Sequence, residues 1–221
     1  MSMSSSALRV AIASENDAFD GAIYHRLLEL SLGRPVALWP TEMRFDGHRA
    51  VYKLAETFLL RALQSGIRHA FLAVDNDGGS KRRPEHDDTH CTSASQARGA
   101  ALAIDDDDAC RECWLRSALP VDFAARGAMA CVVVPVQTLE TWLLHLRGDL
   151  HDKNPDLLPE RIYDRRELKR QFFGRPVPAS QERTAMALRL LEPPTALDRL
   201  RQRPSFMRME RQLAAWRDPL V

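Results

Sequence analysis

Short apolar runs alternate with segments of helical periodicity, and this order is the strongest constraint on the fold. The four runs are residues 8–14, 35–39, 69–74 and 129–136. Phe19, Ile23 and Leu27 recur at helical spacing after the first run, and residues 51–62 carry an amphipathic pattern after the second. Residues 139–146 form a further helical pattern directly after the fourth run. The order predicts an α/β fold with a mainly parallel central sheet flanked by helices.

Two segments fall outside this alternation. Residues 76–108 are polar and too numerous for an ordinary loop. We therefore expect either an insertion that is stabilised by its own cross-link, such as a bound metal, or a mobile lid. No strand pattern follows residue 148, and proline-bearing breaks separate helical patterns over residues 161–172, 180–191 and 205–216. We therefore predict an α/β core over residues 1–146, which includes a polar insertion of about residues 78–118. An all-helical C-terminal tail is expected over residues 147–221.

The charge is nearly balanced overall and unevenly distributed along the chain. The 221 residues carry a net charge of +1, which excludes a polycation, but residues 147–221 hold 16 basic and 11 acidic side chains. Basic segments of this kind often bind phosphates, although an ordinary solvated helix surface has the same composition. No apolar run reaches the ~20 residues that cross a bilayer, and residues 1–7 lack the pattern of a signal peptide. We expect a cytoplasmic protein without a membrane partner.

Acidic residues follow three of the apolar runs. Glu15 comes after the first run, Asp75 and Asp77 follow the third, and Glu140 opens the helix after the fourth. Ligands of open α/β sheets collect beyond the carboxyl ends of the strands, where these side chains are expected. Several carboxylates at one place repel each other unless a cation such as Mg²⁺ or Mn²⁺ binds them. The pattern predicts a divalent-metal site formed by these four residues.

Each acid also has a simpler explanation. Asp75 and Asp77 can shape the turn at residues 78–79, and Glu15 and Glu140 can interact with the positive N-terminal ends of the helices that follow them. An aspartyl phosphatase of the haloacid dehalogenase type would use the first aspartate of such a pair as its nucleophile. That class normally carries the pair on its first strand, whereas here two strand–helix units precede it.

Three stretches resemble the TOPRIM fold, and they are most similar to those of small TOPRIM-like relatives of the overcoming-lysogenization-defect (OLD) nucleases. They are residues 10–15 (VAIASE), 71–77 (FLAVDND) and 135–144 (PVQTLETWLL). The resemblance implies divalent-metal-dependent phosphoryl chemistry on nucleic acid, commonly in phage defence. By position it implies that Glu15 is a general acid/base or a metal ligand, and that Asp75, Asp77 and Glu140 are metal ligands. The family often has Glu-Gly followed by another acid, whereas this chain has Glu-Asn-Asp at residues 15–17.

The leading functional hypothesis is a metal-dependent nuclease or a related phosphoryl-transfer enzyme. Basic residues just past the third run, together with those of the C-terminal segment, would hold the nucleic-acid backbone: Lys81, Arg82 and Arg83. The alternative is a non-catalytic effector or binding subunit. It would work with a partner ATPase or another defence-system subunit, because this chain has no phosphate-binding loop of the G-x-x-x-x-G-K-S/T type.

The cysteines indicate a second metal. Three of them fall in or beside the polar segment, near two histidines: Cys91, Cys110, Cys113, His86 and His90. The pair Cys110-x-x-Cys113 with a distant third cysteine and one histidine is typical of structural Zn²⁺ sites, and such a site can staple a segment that has no core. The spacing favours His86 over His90 without deciding between them. Free thiols are the alternative, and Cys131, within an apolar run, is expected to be an inert buried residue.

Overall fold

The computed structural model describes residues 7–76, 86, 91, 110–136, 138–148 and 165–217. Within these ranges four strands form one sheet, namely β1 (Leu8–Ala13), β2 (Val36–Leu38), β3 (His69–Ala73) and β4 (Met129–Val133). The strand order is β2-β1-β3-β4, and every neighbouring pair is parallel. The predicted α/β fold with a parallel central sheet is therefore confirmed.

The described ranges also contain eight α-helices. They are α1 (Ala22–Leu32), α2 (Gly47–Gln64), α3 (Arg111–Ser117), α4 (Glu140–Arg147), α5 (Arg165–Phe173), α6 (Ser180–Arg189), α7 (Ala196–Leu200) and α8 (Pro204–Ala214). A π-helical turn, Asp17–Gly21, leads into α1, and a short 3₁₀ turn, Ala124–Arg126, precedes β4. The pattern missed α7 as a separate helix because its five residues span little more than one turn. No described helix combines the length and apolar character needed to cross a membrane.

Helices cover both faces of the sheet, and the side chains of each strand alternate between these two buried faces. Val10 and Phe71 point to the face covered by α1 and α4, and they share one hydrophobic cluster with Leu27 and Trp142. The opposite face joins a second cluster with α2 and α3, which includes Leu72. Because both faces are buried, apolar residues occupy consecutive positions along each strand instead of every second position.

The C-terminal helices belong to the first of these clusters. Apolar side chains of α5, α6, α7 and α8 pack with those of α1, α4 and the sheet: Leu168, Phe172, Ala187, Leu200, Phe206, Met209 and Leu213. Trp216, just after α8, is also fully buried there and contacts His69 of β3 edge to face. The described part of the predicted C-terminal tail thus covers one face of the sheet.

The strand order locates the crevice where ligands are expected. From β1 the chain first moves to one side, to β2, and then crosses to the other side, to β3 and β4. The order therefore reverses between β1 and β3, and open α/β sheets bind ligands at such a switch point, beyond the carboxyl ends of the strands. Glu15 and Asp75 follow these two strands by two residues each.

Candidate functional site: an acidic cleft and a thiol group

A cleft of about 780 Å³ lies at this switch point. The loop after β1, the π-helical turn, the end of β3, the first turn of α4 and helices α5 and α6 all contribute to its walls. Its acidic lining residues are Glu15, Asp20, Asp46, Asp75, Glu140 and Glu167. Three of the four acids that the sequence singles out therefore face one cavity. The fourth, Asp77, lies outside the described residues.

Backbone hydrogen bonds hold two of these carboxylates. The Asp75 N–H donates to Oε1 of Glu15 over 2.8 Å, so the side chain after β1 reaches the backbone after β3. Oδ1 of Asp75 in turn accepts from the Leu139 N–H over 3.0 Å, at the start of α4. Asp75 is 7% exposed and Glu140 is 4% exposed. This chain of contacts connects the end of β1, the end of β3 and the beginning of α4.

Asp20 and Lys169 join this group from elements that the sequence did not connect with it. Asp20 lies in the π-helical turn, whose start is fixed by the Asn16 side chain accepting from the Phe19 N–H. Lys169 extends from α5, and its Nζ lies 3.7 Å from Oε1 of Glu140. The cleft therefore contains an ion pair between the buried Glu140 and the partly exposed Lys169 as well as the other carboxylates. Asp20 lies seven residues beyond the end of β1, so its position relative to the strand ends did not indicate that it belongs to the site.

Burial and mutual repulsion raise the pKa values of two acids. Burial, reinforced by Glu140 and Glu15, raises the pKa of Asp20 to about 7, while Lys169 opposes the shift. Burial raises the pKa of Asp75 well above its usual range, and repulsion from Glu15 and Glu140 adds a smaller contribution. These directions show that Lys169 balances only part of the negative charge. A further cation in the cleft would lower both pKa values.

Basic side chains from the C-terminal segment line the same cleft. They are Arg166, Lys169, Arg170, Arg175 and Arg183. Arg183 packs over the ring of Phe173, with 5.4 Å between its guanidinium carbon and the ring centroid. Guanidinium groups bind phosphate oxygens in a bidentate manner. The basic residues that sequence reasoning placed near the site, Lys81, Arg82 and Arg83, lie outside the described residues.

The second group is formed by His86, Cys91, Cys110 and Cys113. One ligand atom from each of the four residues lies within 4.8 Å of all the others, so this group can hold a metal ion. Nδ1 of His86 is 3.5 Å from the sulfur of Cys110 and 3.5 Å from that of Cys113. The predicted grouping of the three cysteines with His86 is therefore confirmed, while His90 lies outside the described residues.

The two groups differ in how closely their atoms approach. Among the residues that the structure describes, the His86 group alone brings three or more such ligand atoms within 4.8 Å of one another. The carboxylates of the cleft share a cavity without forming such a cluster. In the thiol group, burial raises the pKa values of Cys110 and Cys113, which favours neutral thiols until a metal binds.

Searches against protein-family models, curated proteins and solved structures find no significant match to the chain.

Proposed function

We propose that the protein is a divalent-metal-dependent nuclease or a related phosphoryl-transfer enzyme that acts on nucleic acid. The observation that carries this proposal is the combination of buried carboxylates and basic side chains in one cleft, at the switch point of a parallel sheet. The TOPRIM-like stretches of the sequence support the same chemistry. Because relatives with these stretches commonly act in phage defence, the proposal includes such a role.

The carboxylates would suit a cation through their charge and the cavity that they share. Glu15, Asp75 and Glu140 offer hard oxygen atoms of the kind that Mg²⁺ and Mn²⁺ prefer. Burial, and then repulsion from Glu15 and Glu140, raise the pKa of Asp75, and a bound cation would favour its ionised form. Asp77 completes the proposed ligand set from outside the described residues. A bound cation would supply Lewis-acid stabilisation of a phosphate and an activated water.

The remaining residues of the cleft would bind and orient the substrate. Arg166, Arg170 and Arg183 line the same cavity as the carboxylates, so a phosphate held by them lies close to the acids. Lys169 adds a positive charge beside Glu140. Several basic side chains in one cleft suit a polymer with repeated phosphates, because each contact adds sequence-independent affinity.

The burial of Asp75 weighs against an aspartyl phosphatase. A nucleophilic aspartate needs a carboxylate oxygen that is open to the substrate, but Asp75 is only 7% exposed. Its Oδ1 also accepts the hydrogen bond from Leu139. These contacts suit a residue that is held in place as a ligand.

The proposal is tested with the purified full-length chain, Mn²⁺ or Mg²⁺, and end-labelled DNA and RNA. Asp75→Asn and Glu140→Gln should each reduce cleavage by a factor of about 100 or more, since each removes a proposed ligand. Asp122→Asn, an exposed carboxylate bonded to Arg126, is the matched control and should cleave like the wild type. Cleavage that survives both cleft substitutions would contradict the proposed site. Mn²⁺ binding without cleavage would instead support the effector subunit.

We also propose that the thiol group holds a structural Zn²⁺ ion. An ideal tetrahedral zinc with the usual bond lengths separates a histidine nitrogen from a cysteine sulfur by about 3.6 Å, close to the 3.5 Å found for both sulfurs. Protein purified without added zinc should contain about one Zn per chain, as a single closed site requires. Freely reactive thiols in a chain with almost no zinc would contradict this assignment.

A further inference from the structure

The two ring nitrogens of His86 face different groups. Nδ1 lies 3.5 Å from each of two thiol sulfurs, those of Cys110 and Cys113. Nε2, on the other side of the ring, lies 4.0 Å from Oε1 of Glu112. Glu112 is only 3% exposed and sits on α3, one residue before Cys113. The imidazole thus lies between the proposed zinc ligands and a buried carboxylate.

Arginine side chains hold that carboxylate in position. Arg116, one turn further along α3, donates to Oε1 of Glu112 from Nε over 3.2 Å and from Nη2 over 2.9 Å. Arg208 of α8 approaches Oε2, with its Nε 3.4 Å away. Two guanidinium groups therefore offset the cost of burying the Glu112 charge. A carboxylate held in this way is oriented before any metal arrives.

We infer that Glu112 is a positioning residue that prepares His86 to bind the metal through Nδ1. A neutral imidazole carries one proton, and the nitrogen that binds a metal must be the one without it. A negative carboxylate beside Nε2 favours the proton there, which leaves the lone pair of Nδ1 directed at the thiols. The two atoms are 4.0 Å apart, and a small rotation of the ring when a metal binds would bring them within hydrogen-bond distance. Carboxylates in this outer position orient the ring and strengthen its binding.

This inference rests on the proposed zinc site, and a double-substitution cycle separates the two. Glu112→Gln should weaken Co²⁺ binding, followed by the visible absorption of the cobalt–thiolate complex, by a factor of about 10–100. In a His86→Cys background there is no second ring nitrogen to orient. Glu112→Gln should then change the affinity by no more than about twofold. Asp122→Asn, which removes an exposed carboxylate instead, is the control with the same change of charge.

The outcomes of the cycle are distinct. An equal loss of affinity in both backgrounds, or no loss in either, would overturn the role of Glu112. Absence of Co²⁺ and Zn²⁺ binding by the wild type would instead overturn the zinc site itself.

A measurement on the unsubstituted protein covers the case in which Glu112→Gln does not fold. Long-range ¹H–¹⁵N NMR of the zinc-loaded chain should show His86 with zinc on Nδ1 and a proton on Nε2. Zinc on Nε2 would overturn the inference, because that nitrogen would then have no proton to direct at Glu112. The spectrum reports the tautomer directly and needs no substitution.

Discussion

Asp20 is held where its negative charge is costly. Burial raises its pKa from 3.8 to about 7, with Glu140 and Glu15 adding to the shift. The folded protein therefore takes up a proton at Asp20 more readily than the unfolded chain does. The resulting stabilisation is present below about pH 3.8 and is lost as the pH rises through about 7.

Asp20→Asn should remove this dependence on pH. Without divalent cations in the buffer, the unfolding free energy of the wild type should fall between pH 4 and pH 7 relative to the variant, by up to about 1.4 kcal/mol per pH unit. Urea unfolding at several pH values measures the difference. Asp122→Asn is the control, because the hydrogen bond from Arg126 lowers the pKa of Asp122, which is the opposite direction to the shift of Asp20. Parallel profiles for wild type and Asp20→Asn would refute the expectation.

The positive charge of Lys169 partly offsets the negative charge of the acids in the cleft. It lowers the pKa values of both Asp20 and Asp75, against burial and the neighbouring acids. Lys169→Met should therefore raise the pKa of Asp20 above about 7. Carboxyl ¹³C NMR titration measures the shift directly. Lys53→Met, at an exposed position of α2, is the matched control, and an unchanged or lower midpoint in Lys169→Met would disagree with this account.

At the scale of elements, a side chain closes one edge of the sheet. Among the described strands, β4 pairs only with β3, so its other edge presents backbone groups without a strand partner. Gln212 of α8 occupies this edge: its Oε1 accepts from the Val132 N–H over 3.0 Å, and its Nε2 donates to the Val132 carbonyl over 2.9 Å. The same Oε1 accepts from Arg116 of α3. One amide thereby connects β4, α3 and α8.

Gln212→Ala should leave these backbone groups without their partner. We expect a loss of about 1–3 kcal/mol in the free energy of unfolding, which is the usual cost of a buried hydrogen-bonding group that loses its partner. Chemical denaturation measures it. Gln181→Ala, at an exposed position in α6, makes the same change of side chain away from the sheet and should have little effect. Equal stability of both variants would show that water replaces the amide at the β4 edge.

At the scale of the whole molecule, the last helices complete the core that covers the sheet. Phe206, Met209 and Trp216 are each at most 2% exposed, and they share one cluster with β1, β3 and α1. The ring of Phe206 lies 5.2 Å from that of Trp142, whose Nε1 donates to Ser205 over 3.0 Å. The C-terminal helices therefore stabilise the face of the sheet that α1 and α4 also cover.

A chain that ends at Gly148 should not fold cooperatively, since it exposes the apolar surface that α5 to α8 cover. We expect poor dispersion in ¹H–¹⁵N spectra and a gradual loss of helical circular dichroism on heating. A chain that ends at Arg217 keeps every described core residue and should fold normally. A sharp unfolding transition in the shorter chain would mean that residues 1–148 form an independent domain.

The local pattern of the sequence was sufficient for the sheet and for part of the site. Apolar runs bounded by helical periodicity predict strands because both faces of a parallel sheet must be buried. Acids after such runs fall at one edge of the sheet, so the strand pattern alone identifies Glu15, Asp75 and Glu140 as neighbours in space. The cysteine spacing likewise identified Cys91, Cys110 and Cys113, and it favoured His86.

The tertiary structure alone decided which distant residues complete these sites. Lys169 meets Glu140 across 29 positions of the sequence, and Arg208 meets Glu112 across 96. Periodicity describes which face a residue occupies on its own helix, but it does not say which other helix packs against that face. The partners follow from the way in which α5 and α8 close over the sheet, where burial of apolar surface positions the charges that those helices carry.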